Sequence, residues 1–129
     1  MYFIGIDIGT TATKAALFTD NGETLFKESV EYTIFSKNGS MFEQNPETWY
    51  NSVLILLKEL FSKTKIKPSE IGGIGITGQS PSLVILDAND KPLTNSIIWM
   101  DGRAVKEAKV IREKYNFPTT PSSYSSKLL

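Results

Sequence analysis

Residues 2–9, Tyr-Phe-Ile-Gly-Ile-Asp-Ile-Gly, are β-prone and apolar on both alternating faces until Asp7 interrupts them. A strand with two apolar faces needs cover on both sides, so it belongs inside a sheet. Its carboxyl end then delivers a carboxylate into the following loop, where a rigid scaffold usually presents its chemistry. Beyond Gly9-Thr10-Thr11, residues 12–19 read as a second strand, Asp20-Asn21-Gly22-Glu23 as a tight hairpin turn, and residues 24–34 as a third strand. Short turns between three strands predict an antiparallel meander.

A polar stretch at residues 36–40 precedes Asn45-Pro46-Glu47, which has the order of an N-cap, a first-turn proline and a first-turn acid. In the helix predicted from there, Trp49, Tyr50, Val53, Leu54, Leu57, Leu60 and Phe61 form one apolar stripe that runs towards Lys67-Pro68. Residues 71–77 are apolar, glycine-interrupted and too short for a helix, which predicts a buried strand parallel to the first. Strand, helix and strand make a crossover unit. Residues 82–87 and 96–99 read as a strand and its short return, joined by a turn at residues 89–92, and residues 103–115 as a helix. The tail at 118–126, rich in Pro, Ser and Thr, reads as a linker.

Fourteen Lys and Arg balance fourteen Asp and Glu, with no His and no Cys. No basic patch is available to grip a nucleic acid. Disulfides, thiolate nucleophiles, His bases and the usual structural zinc sites are excluded by composition, so chemistry must run on carboxylates, hydroxyls, amides, Lys and Arg. Apolar runs are too short to cross a bilayer and the start lacks signal-peptide character, which predicts a cytoplasmic protein with no membrane partner. A homodimer is compatible with this composition.

Gly73-Ile-Gly75-Ile-Thr-Gly78 fits a dinucleotide-binding expression, and residues 73–80 come close to a P-loop. Both fail on context. The glycines lie inside a strand rather than between strand and helix, and Gln79 stands where a P-loop needs Lys. Gly72, Gly73 and Gly75 read instead as room for close helix-on-sheet packing. Asp7-Ile-Gly9-Thr10-Thr11-Ala-Thr13-Lys14 has the right context for phosphate: a strand-end carboxylate, then a glycine and two hydroxyls in a tight turn. Asp7 repels phosphate directly, so this reading requires a divalent cation between them, Mg²⁺ with ATP. The competing reading is an ordinary hairpin whose Asp7 and Thr10 satisfy turn amides.

These residues resemble the first phosphate motif of the FGGY carbohydrate kinases. Four further stretches agree with that family in order: Phe42-Glu-Gln-Asn-Pro46 with Trp49, Ile74-Gly-Ile-Thr-Gly-Gln79, Ile97-Ile-Trp-Met-Asp-Gly-Arg103, and Ser125-Ser-Lys-Leu-Leu129. Xylulokinases are the nearest members in style. The resemblance implies an α/β, ribonuclease H-like fold of the actin, hexokinase and Hsp70 type, with a mixed sheet and flanking helices. It implies that residues 1–129 are the front of the first, ATPase-like lobe, with the second lobe, the catalytic base and the adenosine pocket absent, so that the fragment alone is inactive.

For the complete enzyme the resemblance implies ATP-dependent phosphorylation of a sugar or polyol hydroxyl. Asp7 orients the Mg²⁺ of ATP through water and is the catalytic and metal residue of this stretch. Gly9, Thr10 and Thr11 hold the β and γ phosphates, and Lys14 either assists them or is solvated or ion-paired. Gln79, Ser80, Pro81, Trp99, Asp101 and Arg103 face the sugar. Alternatives stay open here: a core Trp99, an Asp101 that caps the next helix, or Asp101 as the base. Ser80-Pro81 departs from the Met-His of xylulokinases and the Arg-Glu of glycerol kinases, and Pro81 offers no side-chain hydrogen bond, which leaves the choice of ketose or polyol open. The rival class is a non-catalytic module that senses nucleotide or sugar on the same fold.

Overall fold

A computed structural model of the chain describes residues 1–128; Leu129, the last residue of the fifth motif, lies outside the described residues. β1 (Tyr2–Ile8), β2 (Ala12–Thr19) and β3 (Thr24–Glu31) form the expected antiparallel meander, with Ile4 opposite Leu17 and Asp7 opposite Lys14. Gly22 closes the β2–β3 turn at φ 86°, a conformation glycine adopts without steric cost.

β4 (Phe35–Lys37) and β5 (Met41–Gln44) follow as a hairpin that the sequence reading did not contain. Its turn includes Asn38 and Gly39, both at positive φ. α1 (Pro46–Thr64) begins at the predicted proline, with Glu47 in its first turn and Lys63 in its last. Of the predicted stripe on α1, Leu60 is in the core and Val53, Leu57 and Phe61 pack against it. Ser52, Leu56 and Leu60 are the buried residues of the helix, whereas Tyr50 and Leu54 are exposed. Ser52 can sit on the buried face because its hydroxyl donates to the Thr48 carbonyl at 2.7 Å, which removes the cost of burying it.

After a 3-10 turn at Pro68–Glu70, β6 (Ile71–Gly78) pairs parallel to β1 as expected. It is not buried, however. The sheet order is β3-β2-β1-β6, so β6 is an edge, and Ile74 and Ile76 are exposed. The glycine reading changes with it. A Cβ at Gly72 would collide with the Met1 side chain, one at Gly73 would touch Phe3, and one at Gly75 would meet open space. No helix atom is among those nearest neighbours.

Chain contacts divide the fold into two compact units: Met1–Tyr32 with Glu47–Gly78, and Thr33–Pro46 with Gln79–Leu129. In the first, Ile4, Ile6, Ala15, Leu17 and Phe26 pack with Leu56 and Leu60 as one apolar core. In the second, β7 (Ser96–Ile97) pairs with β5, and α2 (Val105–Tyr115) and α3 (Tyr124–Lys127) follow. Ile98, Ala108 and Ile111 are buried there.

Residues 82–87 are not a strand; they make only the isolated bridges Leu83–Ile97 and Leu86–Pro92 around a turn whose amides bond to Asp87. The tail is not a linker either. Thr119 and Ser126 are buried, and their hydroxyls bond with those of Ser123 and Ser125, while Arg112 donates to the Thr119 carbonyl at 2.9 Å. Among the described residues no helix is long and apolar enough to cross a membrane.

Candidate functional site

Asp7 leaves β1 on the sheet face opposite α1. Strand register sets it beside Lys14, and Asp7 Oδ2 lies 3.9 Å from Lys14 Nζ. The two side chains are 44% and 59% exposed, so the carboxylate is open to solvent and the ion pair is weak. Both line a shallow, mainly apolar groove of about 430 Å³ over Gly5, Ala16, Phe18 and Gly75. Lys14 is paired with Asp7 here, at the long end of ion-pair distance.

The Gly9 amide is already engaged: it donates to the Ala12 carbonyl at 3.0 Å and closes the turn. A Cβ on Gly9 would lie 3.0 Å from that same carbonyl and 3.7 Å from Asp7 Oδ2, so this residue keeps space beside the carboxylate rather than offering its amide to a phosphate. Thr10 is half-buried and Thr11 exposed.

Tyr32, which no local sequence signal singles out, clamps this turn from both ends. Its amide donates to the Thr11 carbonyl at 3.1 Å and its hydroxyl donates to the Gly9 carbonyl, while Thr13 Oγ1 donates to the Tyr32 hydroxyl at 3.5 Å. Burial pushes the phenol pKa above its ordinary value, the Thr13 contact opposes this, and the negative charge of Asp7 adds to the rise. Tyr32→Phe deletes the hydroxyl bond and should lower the unfolding free energy by about 1 kcal/mol, as read by urea denaturation; no measurable loss would show that the clamp does not hold the turn.

In the second unit Asp101 is fully buried. Its Oδ2 accepts the Phe42 amide at 2.7 Å and its Oδ1 the Arg103 amide at 3.1 Å, and Arg103 Nε and Nη2 reach the same carboxylate at 3.0 and 2.7 Å. Arg103 Nη2 also donates to Glu43 Oε1 at 2.7 Å. Burial alone would raise the Asp101 pKa, but the Arg103 guanidinium, with the Phe42 and Arg103 amides, holds it below the usual carboxylate range. The Arg103 pKa is raised by its bond to Asp101, against burial and with help from Glu43.

A carboxylate so enclosed and so stabilised as an anion is unsuited to act as a general base or to face a sugar hydroxyl directly. It does not cap the next helix either, because α2 starts after Ala104 without a side-chain cap. Asp101 instead fastens the turn at residues 97–103 to β5. Trp99 is 44% exposed, so the core reading of this residue is wrong. Gln79 Nε2 donates to Gln44 Oε1 at 2.7 Å, and Gln44 is buried. Ser80 is exposed with its hydroxyl 3.3 Å from that of Tyr124, and the Pro81 carbonyl accepts Lys127 Nζ at 3.2 Å. Glu43, Gln44 and Lys127 all lie in the quoted motifs, yet nothing local to them reveals partners this far along the chain.

The sequence model of the FGGY family of carbohydrate kinases, N-terminal domain, matches residues 2–124. The chain belongs to the FGGY carbohydrate kinase family. It is 40% identical over 116 residues to a gluconokinase of Bacillus subtilis (strain 168), covering 89% of this chain and 22% of that protein. It is 36% identical over 114 residues to a xylulose kinase of the same strain, covering 88% and 23%. The solved structure of ligand-bound xylulose kinase from Lactobacillus acidophilus superposes with a TM-score of 0.86 at 30% identity, over 98% of this chain and 27% of that one. The chain therefore spans less than a quarter of the length of these curated relatives. The mixed α/β fold is that of the actin-like sugar kinases, as the motifs implied. In this FGGY chain, Asp7 and the turn after it fall in the first unit, and Gln79, Ser80, Pro81, Trp99, Asp101 and Arg103 all fall in the second.

Proposed function

We propose that the protein to which this chain belongs transfers the γ-phosphoryl group of ATP to a hydroxyl of a sugar, sugar acid or polyol, as an FGGY kinase. The observation that supports this most directly is Asp7: a solvent-open carboxylate at a strand end, beside a turn pinned at Gly9 and Thr11. Phosphoryl transfer demands positioning and charge neutralisation rather than covalent help from the protein.

Among the described residues no three His, Cys, Asp or Glu converge to hold a metal. A lone carboxylate would suit a cation that arrives with the nucleotide rather than one held by the protein alone. Bound in that way, Mg²⁺ supplies neutralisation of the phosphate charge. Asp7 orients it through water, Thr10 and Thr11 offer hydroxyl and amide donors to the phosphates, and Lys14 offsets the charge of Asp7. On the sugar side, Trp99 presents an aromatic face to the apolar side of the substrate, while Gln79 and Ser80 present hydrogen-bonding groups. Asp101 and Arg103 act through the turn that carries Trp99. The catalytic base and the adenosine contacts come from the rest of the protein, so residues 1–129 alone are inactive.

The test is a coupled ADP-release assay of the full-length protein with Mg-ATP and D-gluconate, D-xylulose, glycerol and related polyols. Turnover on at least one is the expected result. Release of ADP with none of them would reject the kinase and favour a sensing module.

A further inference from the structure

The fifth motif, at residues 125–129, has no role in the reading so far, yet its Lys127 makes an unusual set of contacts. Its ammonium donates to the Ile98 carbonyl at 2.8 Å and to the Pro81 carbonyl at 3.2 Å. It forms no ion pair among those found in the described residues. Burial pushes its pKa below the ordinary lysine value, with the charge of Asp101 opposing that shift and that of Arg103 adding to it. Tyr124, one helical turn earlier and so on the same side of α3, places its hydroxyl 3.3 Å from that of Ser80. The buried hydroxyl cluster of Thr119 and Ser126 anchors α3 from behind.

The two carbonyls that Lys127 bridges belong to the two segments with the candidate sugar residues. These segments are already tied by Leu83 and Ile97, whose amides and carbonyls exchange bonds at 2.9 and 3.1 Å. Pro81 and Ile98 lie just beyond that bridge, where the paired backbones part. A strut at this point joins the two loop ends directly.

We propose that Lys127 is a positioning residue for the phosphoryl acceptor: its ammonium ties the Ser80–Pro81 loop to the turn at residues 97–103 and so sets the spacing of Gln79, Ser80 and Trp99. The link to sugar binding rests on the kinase reading above; the strut itself does not.

The test uses full-length protein with Lys127→Met, which keeps the length and removes the donors, and Lys127→Arg, which restores them. For whichever of D-gluconate, D-xylulose or glycerol the wild type phosphorylates, Lys127→Met should raise the acceptor KM by about tenfold or more while leaving the KM for ATP unchanged, and Lys127→Arg should recover part of the loss. An unchanged acceptor KM would overturn the proposal. So would a parallel rise in both KM values with a lowered Tm and no benefit from Arg, since that is the behaviour of a merely structural lysine. A second measurement needs no substrate: hydrogen exchange at the Leu83 and Asp101 amides should accelerate in Lys127→Met while amides of β1 to β3 keep their rates. Unchanged exchange would rule out the strut. Failure of the wild type on the whole acceptor panel, related polyols included, counts against the kinase reading alone, and exchange then decides whether Lys127 ties the two segments.

Discussion

Full-length protein with Asp7→Asn should turn over at least about a hundredfold more slowly than wild type with both substrates saturating, the size expected for losing one preorganised charge at developing phosphate charge. Asn keeps the shape and an acceptor oxygen but not the charge that orients a hydrated cation. Stability should hardly change, because the Asp7–Lys14 pair is 3.9 Å apart with both partners about half exposed, and such pairs contribute little. One readout is independent of activity. Asp7 is among the causes of the raised Tyr32 pKa, so the phenol should titrate closer to its ordinary value in the variant, observed by ultraviolet absorbance or NMR. Retention of more than about a tenth of wild-type turnover would remove Asp7 from the phosphate site.

Legibility followed the range of the interactions. β1, β2 and α1 were readable because apolar alternation, an Asp-Asn-Gly-Glu turn and a proline at a helix start are local signals. The β4–β5 hairpin was not, since residues 35–37 are all exposed and carry no alternation to distinguish them from a polar loop. The stripe on α1 was legible at Val53, Leu57, Leu60 and Phe61 but not at Ser52, because an apolar count misses a polar residue that satisfies its own hydroxyl and has no need of solvent. The tail failed for the same reason on a larger scale. Its Ser and Thr residues are polar by composition, but several bond to one another and are buried together.

The candidate site shows the same division. Asp7, Gly9 and Lys14 fall within one short turn and its flanking strands, so their neighbourhood was visible in eight consecutive residues. Tyr32 was not, because its hydroxyl bonds to Gly9 from 23 residues away. Asp101 stands out in the sequence, but its fastening of the turn does not. Its partner Phe42 lies 59 residues away, and without that amide, and without Glu43 beyond Arg103, an Asp two residues ahead of an Arg looks as much like a ligand or a helix cap as a fastening.

That fastening has a measurable consequence. Asp101→Ala leaves the Phe42 amide and part of the Arg103 guanidinium without an acceptor in a buried setting, and should cost about 3 kcal/mol, the lower end of the range for breaking a buried ion pair. The lower end applies because Glu43 still accepts from Nη2 and the Arg103 side chain is 29% exposed. The loss should depend on pH in one direction. Because the folded protein holds the Asp101 pKa below that of the unfolded chain, its ionisation stabilises the fold fully above the unfolded value, roughly 4, and this contribution disappears as pH falls through the lower folded value. The stability gap between wild type and Asp101→Ala should therefore be widest near neutrality and narrow as urea unfolding is repeated at progressively more acid pH. A gap that stays constant throughout would mean that the packing of Asp101, rather than its charge, holds the turn in place. Asp101→Asn separates the two contributions, since it retains an acceptor for the Phe42 amide but cannot pair electrostatically with Arg103. It should fall between wild type and Ala near neutrality and should have lost the pH dependence that belongs to the carboxylate.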